Sequence, residues 1–176
     1  MLTITGMLVL GRRMASKSAA GLAEGVQPIP SQVKGIAAPD FELETLSAAD
    51  GTKLKLSGLK GKAVVLSFWA TWCEPCKIEM PWLVEMKKQY GAQGLEVVGI
   101  AQDDAGKEAI MKFANSMGVN YPILQGKNAV MDVYGAQLMP TTVYIGRDGK
   151  MLDKVVGLVS KSEIEDHIKQ ALETKP

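Results

Sequence analysis

The chain has few of the residues from which metal centres and nucleic-acid surfaces are built. Its 176 residues include two cysteines and one histidine, and its 20 lysines and arginines nearly balance its 19 aspartates and glutamates. A formal net charge of +1 gives no reason to expect a nucleic-acid partner. A zinc site that used both cysteines would need two more ligands, and His167 lies far downstream of them. We therefore expect neither a metal nor a bound cofactor.

The two cysteines form a Cys-Glu-Pro-Cys motif, Cys73 to Cys76, directly after the apolar run Ala63–Trp69 and at the start of a helical pattern. Two thiols three residues apart in a first helical turn can close a disulfide ring without moving the backbone. The helix N-terminus should stabilise a thiolate at Cys73, and Pro75 suits a turn where no N–H is needed. A purely structural disulfide is disfavoured because so short a loop removes little chain entropy. The placement predicts a redox dithiol.

Three motifs in order make the sequence similar to a known family. They are Ala38-Pro39-Asp40-Phe41, the run FWATWCEPCK from Phe68 to Lys77, and Met139-Pro140-Thr141-Thr142. Over Pro39 to Leu172 the chain resembles the TlpA/ResA-like thiol-disulfide oxidoreductases of the thioredoxin superfamily, a group that includes reductases of cytochrome c maturation. The resemblance implies a thioredoxin fold and thiol-disulfide exchange as the activity.

Hydrophobic patterning independently predicts an α/β thioredoxin fold, in which helices flank a mixed central sheet. The apolar runs 63–68 and 95–101 are typical of strands buried on both faces, and a helix from Glu74 to Tyr90 separates them. Alternating residues at 41–45 and 54–56 predict an N-terminal β-hairpin extension. A second hairpin with Asp-Gly at its tip and a final helix capped at Ser160 complete the pattern. The helix-containing stretch before Pro140 resembles the central insertion of the family.

The N-terminal segment differs in composition from the rest of the chain. We expect residues 1–37 to be a leader or linker, either disordered or the remnant of a membrane anchor, and residues 38–174 to be the thioredoxin-like domain. The apolar start at 2–10 is too short to span a bilayer, and Arg12 and Arg13 follow it, whereas a secretory signal carries its basic residues first. The resemblance implies a periplasmic location or the outer face of the bacterial cytoplasmic membrane, with the cytoplasm as the alternative.

Glu79 is the candidate proton-exchanging residue. It shares a face of the predicted helix with Cys76 and the apolar residues that follow at helical spacing. A partly desolvated carboxyl has a raised pKa and can exchange a proton with Cys76; the alternative is a solvated residue at the edge of the stripe. The resembled family carries a glutamate at this place. Typical thioredoxins instead carry an aspartate on the preceding strand, where this chain has Ser67, which cannot act as a base.

Six further residues are candidates for substrate binding: Trp72, Glu74, Pro75, Met139, Pro140 and Thr141. The resemblance implies that Pro140 follows a cis peptide bond and packs against the dithiol, and that Met139 offers backbone hydrogen bonds to an extended substrate. It also implies that Trp72 borders the substrate surface, with core packing as the alternative. We expect Glu74 to be exposed and to tune the thiol only modestly, and His167 to be a surface residue on the final helix.

The resemblance implies a reductant of protein disulfides, with apocytochrome c as the sharpest candidate substrate and general extracytoplasmic disulfide exchange as the broader one. An upstream thiol donor, by analogy a membrane electron carrier, would recharge a monomeric enzyme. A thiol peroxidase is disfavoured because peroxiredoxins carry threonine three residues and proline seven residues before the reactive cysteine, where Ala70 and Leu66 stand. A non-catalytic peptide-binding module is disfavoured by the intact cysteine pair.

Overall fold

The strands and helices of the chain follow the predicted alternation. The structure is a computed structural model that describes residues 32–47 and 50–176. In chain order the elements are β1 (Glu42–Glu44), β2 (Lys53–Lys55), β3 (Ala63–Trp69), α1 (Glu74–Tyr90), β4 (Leu95–Ala101), α2 (Gly106–Ser116), β5 (Ile123–Gln125), α3 (Asn128–Tyr134), β6 (Thr141–Ile145), β7 (Met151–Val156) and α4 (Lys161–Glu173). Short 3₁₀ helices, Leu56–Leu59 and Gly91–Gln93, follow β2 and α1.

A five-stranded sheet in the order β5-β4-β3-β6-β7 forms the centre of the fold. The parallel strands are β3, β4 and β5, whereas β6 runs antiparallel to β3 and β7. Every residue of β3 is buried, as a continuously apolar run predicts for a strand covered on both sides. The predicted mixed sheet flanked by helices is confirmed.

The sheet separates two apolar cores. On the side covered by α1, α2 and α4, which we call the dithiol face, Val65 and Trp69 of β3 pack with both cysteines. On the opposite side, the hairpin face, Leu66 and Phe68 pack with the N-terminal hairpin and α3. Successive residues of β3 point to opposite faces because side chains alternate along a strand.

The N-terminal hairpin is confirmed by the antiparallel pairing of β1 with β2, in which Glu42 lies opposite Lys55. Packing begins ahead of residue 38, where we placed the start of the domain. Val33 is buried, the N–H of Gly35 donates to the carbonyl of Met151 at 2.8 Å, and the N–H of Met151 donates to Ile36 at the same distance. The expectations for residues 1–31 lie outside the described residues. Within the described ranges, no helix is both long and apolar enough to cross a membrane.

The start of α4 is confirmed, but the prediction for its histidine is wrong. The Ser160 hydroxyl accepts a hydrogen bond from the N–H of Glu163 at 3.2 Å, which is the predicted cap. The side chain of His167 is only 17% exposed, and its ring meets the edge of Tyr144 with centroids 4.6 Å apart. Its Nε2 lies 3.2 Å from Oδ2 of Asp153. The helix turns His167 onto the sheet beside the buried Ile168, so it is not a free surface residue.

Candidate active site

The two cysteines lie where a buried strand ends and a helix begins. Cys73 is the N-cap of α1 and is joined to Cys76 by a disulfide with Cα atoms 5.3 Å apart. The N–H of Cys76 donates to Sγ of Cys73 at 3.2 Å. Pro75 occupies the first turn, as predicted. After reduction, a negative charge on Cys73 would face the unpaired N–H groups and the positive end of the helix dipole.

Asp103 holds the loop that leads into the dithiol. Its carboxylate accepts two hydrogen bonds from Thr71, from the backbone N–H at 2.7 Å and from the hydroxyl at 2.6 Å. Burial alone would raise the pKa of Asp103, but these bonds and one from the N–H of Ala105 hold it below its usual value. Sequence reasoning missed this contact because 32 residues separate the two partners.

Glu79 is buried directly behind the dithiol, one helical turn after Cys76. Glu79 is 1% exposed. This excludes the alternative of a solvated carboxylate at the edge of the apolar face of α1. Oε1 accepts a hydrogen bond from the Thr142 hydroxyl at 2.9 Å, and Oε2 accepts one from the Ser67 hydroxyl at 3.3 Å. Burial raises the pKa of Glu79, although the two hydroxyl donors act in the opposite direction.

The two hydroxyls that hold Glu79 come from neighbouring strands. Ser67 of β3 lies opposite Thr142 of β6, and its partner on the other side is Gly99 of β4. These three residues therefore form one row across the sheet on the dithiol face. From the sequence, Ser67 was expected only to be unable to act as a base, and its hydrogen bond to Glu79 was not predicted. No local signal marks Thr142 as a partner of Glu79.

The predicted substrate-binding residues surround the dithiol unevenly. Trp72 is 67% exposed, which excludes core packing for it, and the exposed Glu74 pairs with Lys77. The Met139–Pro140 peptide bond is cis. Thr141 pairs with Phe68, so residues 139–141 lie beside the end of β3. The Thr141 side chain itself is buried and donates to the carbonyl of Leu138 at 2.6 Å.

Exposed hydrophobic side chains are concentrated at this end of the sheet. We call Trp72, Leu138, Val156 and Leu158 the apolar rim; they are four of the six large hydrophobic residues exposed in the described ranges. Val156 pairs with Thr141, and the N–H of Gly157 donates to the carbonyl of Pro140 at 2.8 Å. The rim thus lies on three adjoining segments, one of which carries the cysteines. Clustered exposed apolar side chains are typical of interaction sites.

The chemistry open to this arrangement is the making and breaking of a sulfur–sulfur bond. A stabilised thiolate at a helix N-terminus can attack a disulfide, and a second thiol three residues away can release the product. Elsewhere in the described part of the chain, no three histidine, cysteine, aspartate or glutamate side chains converge as metal ligands would. Fold and site together define a thioredoxin-fold thiol-disulfide oxidoreductase.

Comparison with known proteins defines the family more closely. Residues 35–154 match the AhpC/TSA family, and the chain belongs to that family. Thiol-disulfide oxidoreductase ResA of Bacillus subtilis (strain 168) is 40% identical over 136 residues, which cover 77% of this chain and 74% of ResA. ResA of Oceanobacillus iheyensis is 37% identical and is matched over 70% of its length. The predicted ResA-like relationship and oxidoreductase activity are confirmed.

Solved structures agree on the fold. A thiol:disulfide interchange protein of the thioredoxin family from Chlorobium tepidum TLS has a TM-score of 0.68 at 28% identity, with 81% of this chain and 99% of that chain covered. A secreted Mycobacterium tuberculosis disulfide oxidoreductase, homologous to E. coli DsbE, has a TM-score of 0.65 at 26% identity, with 74% and 95% covered.

Proposed function

We propose that the protein reduces disulfides of other proteins, with Cys73 as the attacking thiol, Cys76 as the resolving thiol and Glu79 as the group that exchanges a proton with Cys76. The observation that carries the proposal is the position of Glu79, a buried carboxyl one helical turn from Cys76 and held by two hydroxyls. If the buried face of α1 served packing alone, an apolar residue would be expected at position 79. A carboxyl with a raised pKa is suited to exchanging a proton with a thiol near neutral pH.

The first step is attack by the reduced enzyme on a substrate disulfide. The Cys73 thiolate forms a bond to one substrate sulfur, the substrate S–S bond breaks, and the other substrate sulfur leaves as a thiolate that takes a proton. The helix N-terminus stabilises Cys73 as a thiolate before the attack. Glu74 lies beside it but is exposed and paired with Lys77, so its effect on the acidity of Cys73 is modest.

The second step releases the product. Cys76 gives its proton to ionised Glu79, and the resulting thiolate attacks Sγ of Cys73. The mixed disulfide breaks, the second substrate sulfur leaves as a thiolate, and that thiolate recovers the proton that Glu79 took up. The enzyme ends with the Cys73–Cys76 disulfide, and the substrate ends with two thiols, so two electrons have moved from enzyme to substrate.

The apolar rim supports a polypeptide as the substrate. Trp72 and Leu138 are both exposed and are positioned to contact apolar side chains that flank the substrate cysteine. The backbone of Met139, before the cis bond to Pro140, is the proposed hydrogen-bonding partner of an extended substrate segment. Apocytochrome c is the substrate that we favour, because the curated relatives are ResA proteins; general extracytoplasmic disulfide exchange is the broader alternative.

We place the protein in the periplasm or on the outer face of the cytoplasmic membrane. Support comes from the relative described as a secreted disulfide oxidoreductase and from the ResA relationship. In this scheme the domain acts as a monomer and touches the membrane only through its N-terminal segment. A thiol donor in the membrane recharges the Cys73–Cys76 pair after each turnover.

Trapping separates the roles of the two cysteines. Cys76→Ser should attack an oxidised Cys-x-x-Cys-His peptide and stop at a stable mixed disulfide, because no resolving thiol is present. Cys73→Ser should form little adduct, because Cys76 is the more buried of the two cysteines and is not the N-cap residue of α1, where the helix terminus stabilises a thiolate. Mass spectrometry of the adducts measures both. Equal trapping by the two variants, or none by Cys76→Ser, would contradict the proposed roles.

A further inference from the structure

Two polar atoms on the dithiol face are buried without a hydrogen-bond partner. They are the hydroxyl of Tyr121 and Nε1 of Trp69. Both side chains belong to the apolar cluster that contains Cys73 and Cys76. Buried donors in native proteins are normally paired, because an unpaired one loses its hydration with nothing in return. Their retention on the dithiol face therefore needs an explanation that packing does not supply.

Gly99 provides the space in which these two groups meet. A Cβ atom built on Gly99 would lie 2.9 Å from Nε1 of Trp69 and 3.3 Å from Cε2 of Tyr121. Tyr121 comes from the residues just before β5, on the outer side of β4, and Gly99 is the β4 partner of Ser67. The missing side chain lets the Tyr121 ring cross β4 toward the row that holds Glu79.

Glu79 has unused capacity to accept hydrogen bonds. An ionised carboxylate offers about four acceptor sites, and this one receives a bond from Thr142 and a longer one from Ser67. Tyr121 and Tyr144 are the two tyrosines on which the charge of Glu79 acts. Burial raises the pKa of both tyrosines, and the charge of Glu79 raises it further, so both stay protonated donors within electrostatic reach of Glu79.

Tyr121 is better placed than Tyr144 to serve Glu79. The Tyr144 ring packs against His167, and the charges of Asp153 and Glu163 on the α4 side also act on its hydroxyl. Glu79 is the one charged group that contributes to the raised pKa of Tyr121. The Tyr121 hydroxyl is also buried without a partner, in the cluster that contains both cysteines.

We propose that Tyr121 is a positioning residue for the dithiol reaction: its hydroxyl donates a hydrogen bond to Glu79 when that carboxyl is ionised, directly or through one buried water. The inference rests on the proposed function of Glu79. Glu79 must be ionised before it can accept the proton of Cys76, and ionising a buried carboxyl is unfavourable unless donors compensate. Because the Tyr121 hydroxyl would gain a hydrogen-bond partner only when Glu79 is ionised, it would stabilise the ionised carboxylate over the protonated carboxyl.

The test is the pH dependence of the resolving step in Tyr121→Phe. The reduced protein reacts with dithionitrobenzoate, and the release of the second thionitrobenzoate reports the attack of Cys76 on the mixed disulfide. In the unaltered protein the rate should fall toward acid pH as Glu79 becomes protonated. Tyr121→Phe keeps the ring but removes the donor. We therefore expect the acid limb, the pH range in which the release rate falls, to move up by about one pH unit. At a fixed pH within that range, release should be roughly tenfold slower than in the unaltered protein.

Two further variants make the result specific. Tyr134→Phe removes a hydroxyl from the hairpin face, where it donates to the carbonyl of Pro39 at 2.6 Å, and should leave the limb in place. Glu79→Gln should abolish the limb, and adding Tyr121→Phe to it should change nothing more. An infrared titration of the Glu79 carboxyl band in the oxidised protein gives a second readout that is independent of turnover, and Tyr121→Phe should shift that titration upward too.

These variants test the role of Tyr121 separately from the proposed role of Glu79. If Glu79→Gln abolishes the acid limb but Tyr121→Phe leaves both the limb and the infrared titration unmoved, Tyr121 has no such role while Glu79 keeps its own. If Glu79→Gln itself leaves the limb unchanged, the proposed role of Glu79 fails and the inference fails with it. An equal shift in Tyr134→Phe would mean that the effect is general destabilisation, which also overturns the inference.

Discussion

The two faces of the central sheet differ in whether their buried polar side chains have hydrogen-bond partners. On the hairpin face the buried hydroxyls are paired: Tyr134 donates to the carbonyl of Pro39 and Thr141 donates to the carbonyl of Leu138. On the dithiol face lie a buried carboxyl and three of the side-chain atoms that are buried without a partner in the described ranges: Trp69 Nε1, Tyr121 OH and Tyr144 OH.

The hairpin face serves mainly stability, whereas the polar groups of the dithiol face serve the reaction. Leu66 and Ser67 are neighbours in β3, yet one fills the apolar core and the other donates to Glu79. Unpaired buried polar groups are unfavourable and tend to be retained at functional sites. Changes in the hairpin-face core should therefore alter stability without altering the reaction, and changes at the polar groups around Glu79 should alter the reaction more than the stability.

The largest effect on stability should come from Leu66→Ala. Leu66 is fully buried in the hairpin-face core, so its removal leaves a cavity and should lower the free energy of unfolding by about 2–5 kcal/mol. Urea unfolding of the oxidised protein measures the change. The pH profile of the resolving step should stay the same, because Leu66 packs in the core on the face of the sheet opposite to Glu79. A shifted profile would show that the two faces are not independent.

Glu79→Gln should change the reaction far more than it changes the fold. Loss of the proton-exchange group should slow the resolving step about a hundredfold near neutral pH. Stopped-flow release of thionitrobenzoate measures this rate. A rate within twofold of the unaltered protein would remove Glu79 from the mechanism.

The same variant should also alter how stability depends on pH. Burial raises the pKa of Glu79 above its ordinary value of 4.5, so between these two values the folded protein binds more protons than the unfolded chain. The free energy of unfolding of the oxidised protein should therefore fall as pH rises from about 4.5 toward the folded pKa. In Glu79→Gln that fall should disappear. Unfolding curves across this pH range compare the two proteins.

The smallest of these effects should come from the apolar rim. Trp72 is exposed, so Trp72→Ala should leave stability nearly unchanged. It should raise KM for an oxidised peptide roughly fivefold, equivalent to about 1 kcal/mol of binding. Ile78→Ala, at an exposed site on α1 outside the rim, is the matched control. Equal changes in KM for the two variants would mean that the rim does not select substrates.

Much of the fold was predictable because its signals are local. The apolar run of β3, the cysteine spacing and the Ser160 cap each lie within a few residues, and the structure confirms the elements that they predict. The cis bond before Pro140 is confirmed as well, but that prediction came from the family resemblance, because sequence alone does not distinguish the two isomers.

The surroundings of Glu79 were only partly predictable. Helical spacing placed its carboxyl on the buried face of α1, but Thr142 is 63 residues away in the chain and reaches it only through strand register. Tyr121 approaches across Gly99, a contact that depends on sheet order. His167 was mistaken for a surface residue because helical spacing alone did not reveal its packing against Tyr144. Such contacts between distant segments leave no periodic signal in the sequence.

The reduction potential of the Cys73–Cys76 pair tests the proposed direction of electron transfer. The protein would be equilibrated in glutathione and dithiothreitol buffers, and tryptophan fluorescence would report the fraction oxidised, with Trp72 next to Cys73. We expect a potential near or below about −270 mV, which is typical of a reductant such as thioredoxin. A value near about −120 mV, which is typical of a strong oxidant, would contradict it and make the protein a donor of disulfides.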